Sequence, residues 1–256
     1  MTISSRKNDV VRRFRELSRD KKMRDEQGLF AAEGDHLCGE LSRSDYILPL
    51  ALYTEKAAER YPQTVRALLE KAGESAVITE DVAEYISDTK SPQGLFAIGE
   101  KPSAAEFAES AKRIVILDGV QDPGNVGTVI RTAEALGIDG ALLLGGCADI
   151  WSPKTMRASM GSVFRLPCVV SDGVSAVETL RERGFSVYGA KLDDTALRLG
   201  EFGFPERAAV VIGSEGSGIS DKTAENCTYS LYIPISGAES LNAAAAAAII
   251  LWEFSR

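Results

Sequence analysis

Residues 117–138 read LDGVQDPGNVGTVIRTAEALGI, an apolar strand-like run joined to a helix-like run through a turn of Asp, Pro, Gly and Asn, with Arg131 six residues after Asn125. Asn125 is placed to cap the helix. Free amides at a helix start, with Arg131 near the same end, make a seat for a phosphate or a carboxylate; a capping Asn and a structural Arg satisfy the pattern equally. A second loop, VVIGSEGSGIS, follows an apolar strand, and its Gly213, Gly216 and Gly218 permit close backbone approach or positive φ. Its GxxGxG spacing is neither the GxGxxG of dinucleotide folds nor a P-loop, and Glu215 is an acid where a phosphate cradle would not want one. A third stretch, YIPISGAESLNAAAAAAIILWE, sets Ser240 and Asn242 at a helix start, with Glu239 as an early acid that suits the dipole. The alanine run behind them has high helix propensity and lets a neighbour pack closely.

The elements that must position these loops alternate regularly from Arg113 onward. Apolar strands such as IVILDGV, ALLLGG, FSVYGAK and AAVVIG are separated by amphipathic segments. That order predicts a mostly parallel sheet covered on both faces, with ligands beyond the carboxyl ends of its strands, where all three loops lie. Before it, short segments including GLFAAEG, YILPLALYT, a helix-like EKAAERYPQTVRALLEKAG, AVITE and GLFAIGE suggest a smaller α/β or α+β module. The expected division is a module over 1–100, a linker over 101–112 (around KPSAAEFAESAK) and an α/β domain over 113–256.

Composition narrows the chemistry. With 45% hydrophobic and 26% charged residues the chain has the make-up of a soluble globular protein. No apolar run is long enough to span a bilayer and the basic start lacks an apolar h-region, so a cytoplasmic protein without membrane contact is expected. The four cysteines are scattered without a CxxC pair, and His36 is the only histidine, which excludes a multi-His metal site; no metal is expected. The net charge of -8 is uneven: residues 6–24 hold nine basic side chains against three acids. Val10, Phe14 and Leu17 space one apolar face there, so a basic amphipathic helix over 6–24 is expected. Its Arg12, Arg13, Lys21, Lys22 and Arg24 are candidates for contact with a polyanion such as RNA, or else form a solvated face.

Together and in this order, the three loops resemble the motifs of the SpoU or TrmH family of RNA ribose 2′-O-methyltransferases: NVGTVIRTA the first, IGSEGSGIS the second and IPISGAESLNAA the third. The N-terminal stretch SRKNDVVRRFRELSRDKKMRDEQGLFAAEG is similar to the start of the family's L30e-like substrate-binding domain, so the resemblance covers most of the chain. It implies an α/β fold in which a C-terminal trefoil-knot domain with a mostly parallel sheet follows a smaller L30e-like α/β domain. It also implies a homodimer whose two subunits complete the sites, and S-adenosylmethionine as cofactor. By position, Gly213, Ile233 and Leu241 match the cofactor contacts, and Asn125, Arg131, Glu215, Ser240 and Asn242 the polar residues of the catalytic site. The third motif departs from the pattern at Ile235, where Met is common, and its 233–241 segment is one residue shorter than in many members.

The implied reaction is methyl transfer to a ribose 2′-hydroxyl, a poor nucleophile until its proton is removed or strongly hydrogen-bonded. The family's proposed base is the first-motif Arg, yet a guanidinium normally only donates, so Arg131 stands either as base or as anchor of a neighbouring phosphate. Structured ribosomal RNA is the expected substrate; transfer RNA, a base methyltransferase and a non-catalytic RNA-binding protein are the alternatives. An NAD-dependent oxidoreductase lacks its GxGxxG.

Overall fold

The structure is a computed structural model of the 256-residue chain, and it describes residues 2–102, 107, 109–171, 173–237 and 240–256. Five of the residues in the expected linker, and Glu239, lie outside the described residues. The chain divides into two compact units that are not contiguous in sequence: Met1–Ser103 with Asp149–Phe164, and Ala104–Ala148 with Arg165–Arg256.

The first unit opens with β1 (Thr2–Ile3), α1 (Asp9–Arg19) and α2 (Lys21–Gln27). The single helix expected over 6–24 is therefore two. Asp20 takes an extended conformation between them, closing α1 through its backbone N–H and capping α2 through its side chain, which accepts from the Lys22 N–H at 2.8 Å. A side chain that bonds the backbone ahead of it favours a cap over a helix interior. Val11, Phe14 and Leu17 are fully buried, whereas Val10 is half-buried beside them. Gly28, in the left-handed region at φ 65°, ends α2 and turns the chain into β2 (Leu29–Glu33).

There follow α3 (Asp35–Arg43), β3 (Leu50–Tyr53), α4 (Glu55–Arg60), α5 (Pro62–Lys71), β4 (Glu74–Ile78), α6 (Glu80–Ile86) and β5 (Leu95–Glu100). Pro62 divides the expected long helix, because it begins a helix well and interrupts one badly. The strands form one sheet in the order β1-β4-β3-β5-β2, with β5 antiparallel to both neighbours.

In the second unit, β6 (Arg113–Asp118), α7 (Pro123–Ala135) and β7 (Gly140–Leu143) begin the alternating pattern. The chain then returns to the first unit with α8 (Pro153–Ser159) and a 3-10 turn, Ser162–Phe164. There Trp151 and Phe164 stack on Phe30 with centroids 4.6 and 5.7 Å apart, and Tyr46 meets both edge-on. Back in the second unit come β8 (Cys168–Val170), α9 (Ser175–Glu182), β9 (Ser186–Ala190), β10 (Leu197–Arg198), β11 (Ala208–Gly213), α10 (Asp221–Glu225), β12 (Tyr229–Tyr232) and α11 (Ala243–Phe254).

The second sheet has seven strands in the order β10-β12-β9-β11-β6-β7-β8, and every pairing is parallel. All carboxyl ends therefore share one edge. The chain runs outward from β6 to β7 and β8, then crosses to β9 on the far side, so the order reverses around β6 and β11. That reversal is where an open parallel sheet offers a binding crevice. Apolar side chains of β6, β9 and β11, among them Ile114, Ile116, Val187, Ala209 and Val211, pack with α9 to form the core beneath that edge.

Candidate active site

Asp122, Pro123 and the glycine loop set the site. The residue that caps α7 is Asp122, not Asn125: its side chain accepts the Asn125 N–H at 3.0 Å, and Pro123 occupies the first helical position. The Asp-Pro pair is the sequence signal for this start, since Pro lacks the N–H that a first-turn residue leaves unbonded. With its backbone inside the helix, Asn125 has its side chain free for other partners. Its Nδ2 donates to Glu215 Oε1, and its Oδ1 accepts from Asn242 Nδ2 at 3.2 Å. Asn242 meanwhile caps α11, its Oδ1 accepting from Ala244 and Ala245 at 3.0 and 3.2 Å. One side chain from each of the three loops is thus joined in a chain of amide and carboxylate groups.

The glycine loop approaches its own stem at Gly213. A Cβ built there would fall 2.1 Å from the Gly218 carbonyl carbon and 2.3 Å from the Ile219 nitrogen, so only glycine fits. Ser214 and Gly218 exchange two backbone hydrogen bonds of 3.0 Å across the loop. Beside it lies a cleft of about 340 Å³ lined by Gly213, Ile233 and Leu241, the three residues expected to meet the cofactor, and by Glu215 and Ser240. Ile235, the departure from the third motif, lines it too. Lys191 and Leu192, unmarked in the sequence, complete one wall; they follow the carboxyl end of β9, and the parallel-edge rule was the signal that could have found them. The cleft's size falls in the range of roughly 300–1,000 Å³ usual for cofactor sites. Apolar walls from Ile212, Ile233, Leu241 and Ile250 with a few hydroxyls and one carboxylate suit a ligand that joins an aromatic base, a ribose and a charged tail.

Arg131 is not at the helix start. It lies in the second half of α7, about 9 Å along the axis from Asn125 at the usual rise per residue, is exposed, and makes no hydrogen bond or ion pair among the described residues. It does not line the cleft.

Arg24 is also displaced from its expected role. Only 3% exposed, it holds Asp149 at 2.6 Å and donates to the Leu17 carbonyl at 2.7 Å, because the helix break at Asp20 turns α2 and carries this position inward. Arg12, Arg13, Lys21 and Lys22 stay exposed. Asp25 and Glu26, just past the basic stretch, pair with Lys21 and Lys22 at 3.2 and 3.7 Å and dilute its charge.

His36 rests its Nε2 against the Met160 carbonyl at 3.0 Å, away from any nucleophile motif. The four cysteines are free; burial pushes the Cys168 thiol up to about 12, and burial followed by the charge of Asp118 pushes Cys227 to about 11. Among the described residues no group of three or more His, Cys, Asp and Glu could hold a metal, and no helix is long and apolar enough to cross a membrane.

Residues 112–252 match the SpoU rRNA Methylase family, and residues 8–97 match the MRM3-like substrate binding domain. The chain belongs to the SpoU family. Like other SpoU proteins it is an S-adenosylmethionine-dependent RNA 2′-O-methyltransferase. It is 36% identical over 251 residues to the 23S rRNA (guanosine(2553)-2′-O)-methyltransferase RlmP of Bacillus subtilis, covering 98% of this chain and 97% of that protein. Among solved structures, the S-adenosylmethionine-bound rRNA methyltransferase of Sinorhizobium meliloti superposes with a TM-score of 0.85 at 29% identity, over 99% of this chain and 96% of that one. The SpoU methyltransferase AviRb of Streptomyces viridochromogenes, in complex with the same cofactor, gives 0.84 at 27% identity over 97% of each chain.

Proposed function

We propose that this SpoU enzyme methylates a ribose 2′-hydroxyl of 23S ribosomal RNA, and that the reaction takes place where Asn125, Glu215 and Asn242 meet beside the cleft. The joining of these three side chains, each from a different loop, is the observation that carries the reading of the site. The choice of ribosomal RNA is supported by the RlmP relative, which matches both units from end to end.

S-adenosylmethionine supplies an electrophilic methyl group; Gly213, Ile233 and Leu241 would hold it in the cleft. The chain's own task is to bind the ribose and draw off the hydroxyl proton. Glu215 is the only carboxylate among the described cleft residues, and a carboxylate bonded once by Asn125 still has acceptor capacity for a hydroxyl. Asn125, itself held by Asn242, holds that carboxylate in one orientation, and Ser240 adds a hydroxyl to the rim. Arg131 serves as phosphate anchor, since a guanidinium presents a fork of donors and no acceptor.

Its distance along α7 is the reason to invoke a second subunit. On α11, which packs along α7, Ala245, Ile249 and Trp252 recur at helical spacing on the exposed face, with Trp252 58% exposed. An apolar stripe of this kind suits a second copy, and a homodimer would bring the partner's Arg131 to the site that the same chain's Arg131 does not reach. The exposed Arg12, Arg13, Lys21 and Lys22 provide an RNA-facing surface. The match of residues 112–252 to the SpoU family supports the threaded, trefoil-knot topology that the resemblance implies, and a ribosomal substrate supports a cytoplasmic location.

Mass spectrometry of nuclease-digested ribosomal RNA, from cells with and without the gene, tests the reading. A 2′-O-methylated nucleotide whose linkage resists alkali should vanish from 23S RNA in its absence. A methyl group on a base, or a change confined to transfer RNA, would overturn it.

A further inference from the structure

Asp118 is the only carboxylate among the described residues that the fold buries outright, at 7% exposure, and neither the proton transfer nor RNA binding uses it. It ends β6, where the register sets it beside Gly213, the last residue of β11. The loop that leaves Gly213 comes back to the same place: Asp118 Oδ2 accepts the Ser220 N–H at 2.7 Å. Ser220 in turn caps α10, its Oγ accepting the Thr223 N–H at 3.4 Å and donating to Thr223 Oγ1 at 2.9 Å. The near leg of the loop is therefore fixed by the β6–β11 ladder, and the far leg by the Ser214–Gly218 pair and, just beyond it, by one carboxylate on the adjacent strand. Between these two ties lie Gly213, Glu215 and Gly218, which line the cleft. A carboxylate buried at a strand end is costly unless donors hold it, and a hydrogen bond to such a group is stronger than one between neutral partners.

We infer that Asp118 is a positioning residue for cofactor binding: by anchoring Ser220 it holds the glycine loop in the shape that closes one wall of the cleft. The inference rests on the cleft being the cofactor site. Affinity for S-adenosylmethionine then depends on Asp118, whereas turnover of the bound complex depends on Asn125 and Glu215 and changes little.

The test is calorimetric titration with S-adenosylmethionine, together with steady-state methyl transfer, on five full-length variants. Asp118→Ala should weaken cofactor binding and raise its KM about tenfold, the size of one charge-assisted hydrogen bond, with kcat nearly unchanged. Asp118→Asn keeps a neutral acceptor for the Ser220 N–H and should restore part of the affinity. Ser220→Pro removes the same bond from the donor side while retaining Asp118; the native φ of -66° suits proline, so this variant reports even where Asp118→Ala does not fold, and Ser220→Ala, which loses only the α10 cap and keeps the N–H to Asp118, is its control. Ala246→Phe places a ring among the cleft residues and should abolish binding. Unaltered binding in Ala246→Phe would overturn the assignment of the cleft itself. Loss of binding there, with wild-type affinity in Asp118→Ala or Ser220→Pro, would overturn the role of Asp118 alone. An Asn variant as weak as the Ala variant would also sink the inference, because charge and not the anchor would then matter.

Discussion

Asn125 illustrates how one residue's role changes once its neighbours are known. As a cap it would lose stability on substitution; inside α7, with Asp122 capping, its side chain serves, among the described residues, only the contacts to Glu215 and Asn242. Asn125→Ala should therefore depress methyl transfer strongly while leaving the thermal midpoint almost unmoved. Asp122→Ala should do the reverse to stability, costing about 0.5–2 kcal/mol as lost caps do, and paired melting and activity measurements on the two variants separate the effects. Glu215→Gln keeps an oxygen for Asn125 but not the charge that draws a hydroxyl proton, so kcat should fall while cofactor affinity persists. Arg131→Lys keeps the charge and loses the planar fork. It should cut transfer without changing cofactor titration, and near-normal turnover would remove Arg131 from the mechanism.

Among the elements, the loop between β11 and α10 leaves the least latitude. Gly213→Ala drives a methyl group into the backbone of Gly218, and backbone, unlike the end of a flexible side chain, cannot swing aside. The variant should lose S-adenosylmethionine binding and lower the melting midpoint together. In the first unit, α2 poses the opposite case. Arg24 looks in sequence like one more member of a basic stretch, yet it is a buried partner of Asp149. Breaking a buried pair from one side typically costs about 3–5 kcal/mol. Arg24→Gln should accordingly destabilise the first unit, as read by thermal melting, and leave the salt dependence of RNA binding by the folded fraction unchanged.

At the scale of the whole molecule, the chain leaves the second unit at Asp149 and re-enters it after Phe164, having supplied Trp151 and Phe164 to the aromatic cluster around Phe30. Deleting the first hundred residues would strip those rings of their partners. A fragment starting near residue 111 should thus aggregate or melt early, and its loss of RNA affinity would not report on the basic surface. Charge reversal at Arg12, Arg13, Lys21 and Lys22 in the full chain is the sound experiment. It should weaken RNA binding and flatten its dependence on salt, the log-log slope falling by roughly 0.7 for every phosphate left unneutralised on single-stranded regions. An unchanged slope would make these side chains a solvated face, and substrate binding would have to be sought elsewhere on the enzyme.

Periodicity and turn chemistry by themselves determined the alternation of strands and helices from β6 onward, the parallel sheet, and the three loops at its carboxyl edge, because those features depend on spacing within a few residues. The order of Asn125, Glu215 and Asn242 along the chain was likewise legible, whereas the match of Gly213 to a cofactor contact came from the family resemblance alone and is part of the proposal. Short elements escaped: β1, β10 and α10 carry too few residues for a period to show. The break at Asp20 and the start of α7 at Pro123 had local signals that a longer apolar pattern obscured. What no local signal carries is which distant groups meet. The burial of Arg24 against Asp149, the return of 149–164 to the first unit, the contact of Asp118 with Ser220 and the separation of Arg131 from the cleft all join or divide residues far apart in sequence. Each was settled by packing, where the cost of leaving a charge or an aromatic ring without a partner is borne by the fold as a whole.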